Sequence, residues 1–194
     1  MDPVILTSER LLLRPFKAED AATVHRACQD PDIQRWTVIP SPYGRADAET
    51  FVGQLVPDGW RTGTSLAFAV LPREGGPLHG AISVFQRSQP GTWEIGYWTA
   101  KEQRGRGYTA EAVSVLAHWS LSTLGVERLE WRAEVGNTGS RAVAEKAGFR
   151  VEGTLRSNLL NKGTRRDAWV GALLPSDLGL PTEHAYLPTE NKPS

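Results

Sequence analysis

The sequence predicts an α+β fold: a mixed, mostly antiparallel sheet of about seven strands carrying about four helices. Three observations predict it. Residues 65–99 hold three β-rich runs separated only by short turns bearing glycine and proline, the pattern of successive hairpins. Residues 109–124 follow as the clearest amphipathic helix in the chain. Residues 128–135 then alternate apolar and polar side chains, which adds one β-α-β crossover to an otherwise hairpin-linked order.

Glu9–Pro15 reads as a strand closed by its proline. Glu19 and Asp20 suit a helix N-terminus, and a helix through about Cys28 follows. Asp30–Gly44, with Pro31, Pro40, Pro42 and Gly44, reads as a long loop carrying Trp36 and Tyr43; loops of that length in compact domains are usually functional. Ala46–Val56 reads as a second helix. Ser65–Leu71, Leu78–Gln86 and Thr92–Thr99 are strands, punctuated by Gly75-Gly76-Pro77 and Gln89-Pro90-Gly91. In Thr109–Leu124 the residues Ala112, Val115, Leu116 and Trp119 share one helical face, and Gly125 supplies the stop. Along Arg128–Val135, Leu129, Trp131, Ala133 and Val135 face one way while Glu130, Arg132 and Glu134 face the other. Asn137 caps a helix running to Ala147, with Gly148 at its C′ position. Arg150–Leu160 and Arg165–Leu173 are strands about an Asn161-Lys162-Gly163 turn. Pro175–Ser194 has four prolines and no periodicity. Residues 1–174 are therefore expected to form one domain, and residues 175–194 a tail that is draped or disordered.

The chain has 194 residues, 22 Lys+Arg against 22 Asp+Glu, and a 40% apolar composition, so it is globular and formally neutral. Neutrality argues against a nucleic-acid partner. The single cysteine, Cys28, cannot form an intramolecular disulfide, which fits a reducing compartment, and its helical apolar surroundings mark it as a core residue. Asp2, Glu9, Arg10 and Arg14 break any apolar N-terminal run, so no secretory leader is expected. The longest apolar stretch, Leu66–Leu71, falls far short of the ~18 residues a membrane span needs. A cytoplasmic location is expected, with no membrane partner. The histidines at 25, 79, 118 and 184 lack ligand spacing, so no metal site is expected.

Gln103-Arg104-Gly105-Arg106-Gly107-Tyr108-Thr109 lies between a strand and the best helix. Its glycines let the backbone approach a ligand, and the helix start turns free N–H groups and a positive dipole toward it, which makes an anion site. No Gly-Lys-Ser/Thr follows, so the loop is not a nucleoside-triphosphate P-loop. Gly105, Gly107 and Ala110 also spell the G-x-G-x-x-A of dinucleotide binding. The hairpin-like strands before the loop, and the mostly polar Ala100–Arg104 between strand and glycine, argue against that alternative.

Arg104-Gly105-Arg106-Gly107-Tyr108-Thr109, preceded by Glu94-Ile95-Gly96-Tyr97-Trp98, resembles motif A of the GNAT superfamily of acyl-CoA-dependent N-acyltransferases. The family pattern is Gln/Arg-x-x-Gly-x-Gly/Ala. Arg104 and Gly107 match it, whereas Thr109 replaces the usual small final residue. Asn137-Thr138-Gly139-Ser140 and Glu145-Lys146-Ala147-Gly148-Phe149 are similar to the Rim-type branch, which acetylates the N-termini of ribosomal proteins. Thr7–Pro15 and Asn161–Asp167 fit that branch too. The likeness covers about residues 7–174.

The resemblance implies an acyl-CoA, acetyl above all with succinyl as an alternative, in a V-shaped split between the fourth and fifth strands. The backbone of Tyr97, Trp98 and Thr99 would pair with pantetheine, and an N–H near Trp98 would serve the oxyanion. The amides of Arg104, Gly105, Arg106, Gly107, Tyr108 and Thr109 would take the pyrophosphate. Asn137 and Ser140 would lie beside the cosubstrate, with Ser140 at the leaving sulfur. A primary amine (a protein N-terminus, a lysine or a small molecule) would attack directly in a ternary complex.

Glu94 is the candidate base, with a cross-strand pair to Arg128 or Arg132 as its structural role; Glu130 and Glu134 are weaker candidates. Helix capping is the corresponding structural role for Asn137 and Ser140. Trp36, Tyr43 and Arg156 are candidates for the acceptor pocket from their loop positions. A non-catalytic acyl-CoA sensor is the other reading of the same fold. An exposed sheet edge and seven tryptophans are compatible with a homodimer.

Overall fold

Eight strands form one sheet in the computed structural model, which describes residues 1–188. They are β1 (Leu6–Thr7), β2 (Leu11–Pro15), β3 (Ser65–Pro72), β4 (Gly80–Gln86), β5 (Thr92–Thr99), β6 (Arg128–Glu134), β7 (Arg150–Asn161) and β8 (Thr164–Leu173). Their spatial order is β1-β2-β3-β4-β5-β6-β8-β7. Every pairing is antiparallel except β5 with β6. The helices are α1 (Ala21–Ala27), α2 (Pro31–Trp36), α3 (Arg45–Thr50), α4 (Val56–Thr62), α5 (Tyr108–Ser122) and α6 (Thr138–Lys146). A π turn, Phe51–Leu55, joins α3 to α4 without a break, so the helical bodies number about five.

The α+β class agrees with expectation, and the differences have local causes. The first strand is two: a turn closed by Ser8 N–H to the Leu11 carbonyl (3.0 Å) folds β1 back onto β2. The segment expected to be a loop after Asp30 contains α2. Asp30 caps it by accepting from the Asp32 N–H (3.2 Å), and Pro31 occupies the first turn, where its missing N–H costs nothing. The second helix runs past Pro57 to Thr62, because the π turn places that proline in a fresh first turn; Gly63 ends it in the left-handed region.

α5 lies across one face of the sheet and buries Ala112, Val113, Leu116 and Ala117 completely. Trp60, Phe68 and Trp119 pack edge to face at 5.1 and 6.1 Å, joining α4, β3 and α5 in one core. Arg10, Ser8 and Glu111 tie the β1–β2 turn to the first turn of α5: Ser8 Oγ donates to Glu111 at 2.6 Å and Arg10 Nε at 2.7 Å. Beyond β8, the turn Pro175–Leu178 is held by Arg150 to Asp177 (2.7 Å), and Leu180 packs on the core. His184 bonds Glu127 at 2.7 Å, so this part of the tail is draped on the domain; its residues 189–194 lie outside the described residues. Among the described residues no helix is long and apolar enough to cross a membrane.

Candidate active site

β5 and β6 pair only from Thr92↔Arg128 to Ile95↔Trp131. Beyond that point they splay, and the β6-facing edge of Gly96–Thr99 has no strand beside it. In this numbering the split lies between the fifth and sixth strands, because β1 adds one to the count. β5 still pairs with β4 as far as Gly80↔Thr99. Gly80 matters here: a Cβ on it would lie 3.2 Å from Thr99 Cα and closer still to the Trp98 carbonyl oxygen. Only hydrogen fits between these backbones.

The splay opens a cavity of about 890 Å³, lined by Ile95, Tyr97 and Thr99 from one face of β5 and by Glu94, Gly96 and Trp98 from the other. It therefore passes through the sheet. At one end stands the glycine loop, where Gly105 (φ 74°) and Gly107 (φ 78°) are left-handed and begin α5. The first helical bond runs from the Glu111 N–H to the Gly107 carbonyl (3.1 Å), which leaves the amides of Tyr108, Thr109 and Ala110 without helical acceptors. The Thr109 hydroxyl is shared with that of Thr99, so it ties α5 to β5. The Arg104 guanidinium turns away to Asp30 and Asp32, while Arg106 accepts from Arg10 through its carbonyl (3.3 Å) and does not line the cavity.

Ser140 sits midway along the cavity in the first turn of α6. Asn137 caps that helix by accepting from the Ser140 N–H at 3.1 Å. The Ser140 hydroxyl accepts from Trp131 Nε1 (3.0 Å) and donates to the Tyr97 hydroxyl (3.2 Å). Tyr97 in turn donates to the Ser140 carbonyl at 2.8 Å. Burial raises the Tyr97 phenol above its ordinary range, so it stays protonated. The network bridges β5, β6 and α6 across the base of the split.

Glu94 lies on the other side of the sheet. One of its carboxylate oxygens is 3.5 Å from both Arg87 Nε and Arg132 Nε, and it forms a full hydrogen bond with neither. Burial pushes its carboxyl above the ordinary glutamate value, and the two arginines only partly oppose the shift. Arg132 is thus one of its expected cross-strand partners. The other, Arg128, pairs instead with Glu130 (3.0 Å) and Glu152 (2.5 Å). Burial works against the charge on Glu130, yet bonds from Arg128 and Arg132 hold its carboxyl below the usual range. Glu134 is lowered by Arg35, which grips it at 2.8 and 2.7 Å. The acid face of β6 is therefore buried and paired rather than solvated.

α2 roofs the opening. Asp32, Ile33 and Trp36 line the cavity, and Trp36 reaches Gly136, where an added Cβ would be 3.7 Å away. The C-terminal end of α2 is held by the Arg35–Glu134 pair, by Asn161 donating to the Arg35 carbonyl (3.2 Å), and by Lys162 donating to Gln34 and Thr37. Of the three acceptor-pocket candidates only Trp36 borders the cavity. Tyr43 is a core residue at 5% exposure, and Arg156 stands on the exposed outer stretch of β7. The segment of Arg156 does approach the site: Asn158 accepts from Arg132 at 3.2 Å.

Residues 10–150 match the acetyltransferase (GNAT) domain family. The chain belongs to that family. It is an N-acyltransferase enzyme whose acyl donor is an acyl-CoA. This GNAT chain is 28% identical to the uncharacterized N-acetyltransferase p20 of Bacillus licheniformis, over 87% of its own length and 95% of the relative's. Over a shorter stretch, 41% of its length and 45% of the relative's, it is 36% identical to the ribosomal-protein-serine acetyltransferase of Escherichia coli. Mycobacterium smegmatis RimJ, solved with a CoA disulfide, shares the fold at a TM-score of 0.79 with 23% identity, over 91% of this chain and 88% of that one.

The sequence did not single out several residues that this GNAT site brings together. Trp131 and the Tyr97 hydroxyl meet Ser140 only through the register of β5 with β6. Arg35, Asp30 and Asp32 fasten a helix not expected at all, although Asp30-Pro31 is a helix-start signal. Lys146 lines the cavity from the end of α6. Among the described residues, the group that could hold a metal is Glu127, Glu183 and His184, away from the cavity lining.

Proposed function

We propose that the enzyme, with residues 1–174 as its catalytic domain, transfers an acetyl group from acetyl-CoA to a primary amine by direct attack, a protein α-amine being the acceptor class to test first. One observation carries this reading: the parallel pairing of β5 with β6 stops at Ile95↔Trp131, and the opened cavity runs from the glycine loop past Ser140 to Glu94. The residues suit a CoA thioester. The edge of Tyr97–Thr99 would hydrogen-bond the pantetheine as a neighbouring strand does, and the amides from Arg104 to Thr109 would hold the pyrophosphate. A backbone N–H beside Trp98 would stabilise the oxyanion.

Glu94 is the base, a role its raised carboxyl suits, because burial makes it a stronger proton acceptor than an ordinary glutamate, directly or through a water. A protein α-amine titrates at about 7.7–8.0 against about 10.4 for lysine, so it asks less of that base. The Escherichia coli relative is named for a ribosomal-protein serine, which supports testing a protein acceptor first. Ser140 turns its hydroxyl from Tyr97 toward the leaving sulfur, while the Trp131 N–H keeps its oxygen in place. A thiolate whose own pKa is about 8.5 needs only that hydrogen bond to depart.

The test is thiol release from acetyl-CoA in the presence of peptides with free N-termini. Ser140→Ala should lower kcat by about tenfold to a hundredfold, the worth of one charge-assisted hydrogen bond, with little change in acetyl-CoA affinity. Turnover unaltered by the substitution removes Ser140 from the mechanism. Release that needs no amine removes the transfer reading.

A further inference from the structure

Arg104 and Lys146 both reach the glycine loop, and they face different partners. Arg104 is the arginine of the loop motif, yet its guanidinium is committed to α2 and β5. Nη1 is 3.0 Å from Asp32 Oδ2, Nη2 bonds Asp30 Oδ2, and Nε is 3.3 Å from the Thr99 carbonyl. Asp30 is the N-cap of α2 and Asp32 lies in its first turn. One guanidinium therefore fastens the roof of the cavity to the loop beneath it. Its planar fork suits that double grip on two carboxylates.

Lys146 comes to the same loop from the far wall. It is the last residue of α6 and lines the cavity, and its Nζ lies 3.6 Å from where a Cβ on Gly107 would stand. Arg10 Nη2 is 3.8 Å from the same point, but its charge is met by Glu111 at 2.5 Å. Lys146 makes no ion pair among the described residues, and the adjacent Glu145 is taken by Arg141 at 2.8 Å. Its ammonium is thus an unpaired, solvent-exposed positive charge bordering the cavity, beside amides that already carry positive dipoles. Repulsion of that kind is relieved by an anion bound between them.

We propose that the cations of this loop divide the work. Lys146 holds a phosphate oxygen of the acyl-CoA, and Arg104 is a positioning residue whose side chain latches α2 over the acceptor end. The proposal rests on the acyl-CoA reading above. In it the motif arginine serves the acceptor side of the site, and a lysine remote in sequence serves the phosphate.

Calorimetry with acetyl-CoA and with S-acetylpantetheine, which lacks every phosphate, separates the two roles. Wild type, Lys146→Gln, Lys146→Arg and Arg104→Gln are compared, with amide hydrogen exchange read over residues 31–36. Lys146→Gln should weaken acetyl-CoA about tenfold and flatten its salt dependence, leave S-acetylpantetheine unchanged, and be rescued by Lys146→Arg. Arg104→Gln retains the loop's backbone amide but loses the two-carboxylate grip, so exchange over residues 31–36 should quicken at least about tenfold. Lys146→Gln binding acetyl-CoA as wild type does, or losing both ligands equally, overturns the phosphate role. Arg104→Gln with α2 exchange unchanged overturns the latch. A wild type that binds neither compound overturns the acyl-CoA reading itself, and this proposal with it.

Discussion

Replacing Gly80 by alanine tests what shapes the free edge of β5. The new methyl carbon would stand 3.2 Å from both Thr99 Cα and the Trp98 carbonyl carbon, and nearer still to the Trp98 oxygen. Carbon atoms rest at about 3.5–4.0 Å, so one backbone must retreat by about 1 Å. β4 is held on both sides, with the His79 N–H on the Val70 carbonyl at 2.7 Å and the His79 carbonyl accepting from Ala100 at 2.9 Å. The strain therefore falls on Trp98–Thr99, the segment proposed to hold the thioester arm. Overpacking of this kind costs about 1–3 kcal/mol, and a chain of this size loses about 2–4 °C of Tm per kcal/mol. A reacting group displaced by about 1 Å costs on the order of a hundredfold in rate. Thermal melts, acetyl-CoA calorimetry and amine-dependent thiol release measure the three effects. Gly53→Ala, where an added Cβ meets nothing within 4 Å, is the control and should leave all three near wild type. A Gly80→Ala enzyme that melts, binds and turns over like wild type would show that this close approach does not set the geometry of the site.

Glu94→Gln should reduce turnover by about a hundredfold to ten-thousandfold, with acetyl-CoA affinity retained. Because burial raises the Glu94 carboxyl, wild-type activity should fall with decreasing pH through a value above that of an ordinary glutamate. The variant should lose that acidic limb; a limb that persists assigns it to another group. Cys28 is 1% exposed and its thiol is pushed up to about 12 by burial alone. A thiol reagent added to the native enzyme near neutral pH should therefore report only released CoA. Stoichiometric labelling before substrate is added would contradict the burial of Cys28.

Much of the architecture was legible because local signals agreed with the final packing. Asn137 and Gly148 mark both ends of α6, and Leu129, Trp131 and Ala133 alternate inward as the pattern required. The tight turn of the glycine loop into α5 was readable because its conformation is local. The illegible parts were set by residues far apart in sequence. Arg35 meets Glu134 across 99 positions and Arg104 meets Asp32 across 72, and no window of sequence records either encounter. Proline density concealed α2, since Pro31 starts a helix while Pro40 and Pro42 belong to the following turn. Tyr43 went astray for the opposite reason: an aromatic in a turn looks available until the core closes over it. The point where β5 parts from β6 is bridged by Ser140 of α6, bonded to Trp131 and Tyr97, a meeting that alternation along either strand cannot reveal.

The unfinished ladder between β5 and β6 has a consequence for the life of the protein. A sheet that leaves one seam open folds to less than its full cohesion, and whatever fills the seam completes it. Acyl-CoA binds the folded chain and not the unfolded one, so at a hundred times its Kd it adds about 2.7 kcal/mol to folding. A protease challenge with and without acetyl-CoA measures that margin; equal survival would mean that the seam contributes nothing. Substrate supply then governs how long the enzyme lasts as well as how fast it turns over.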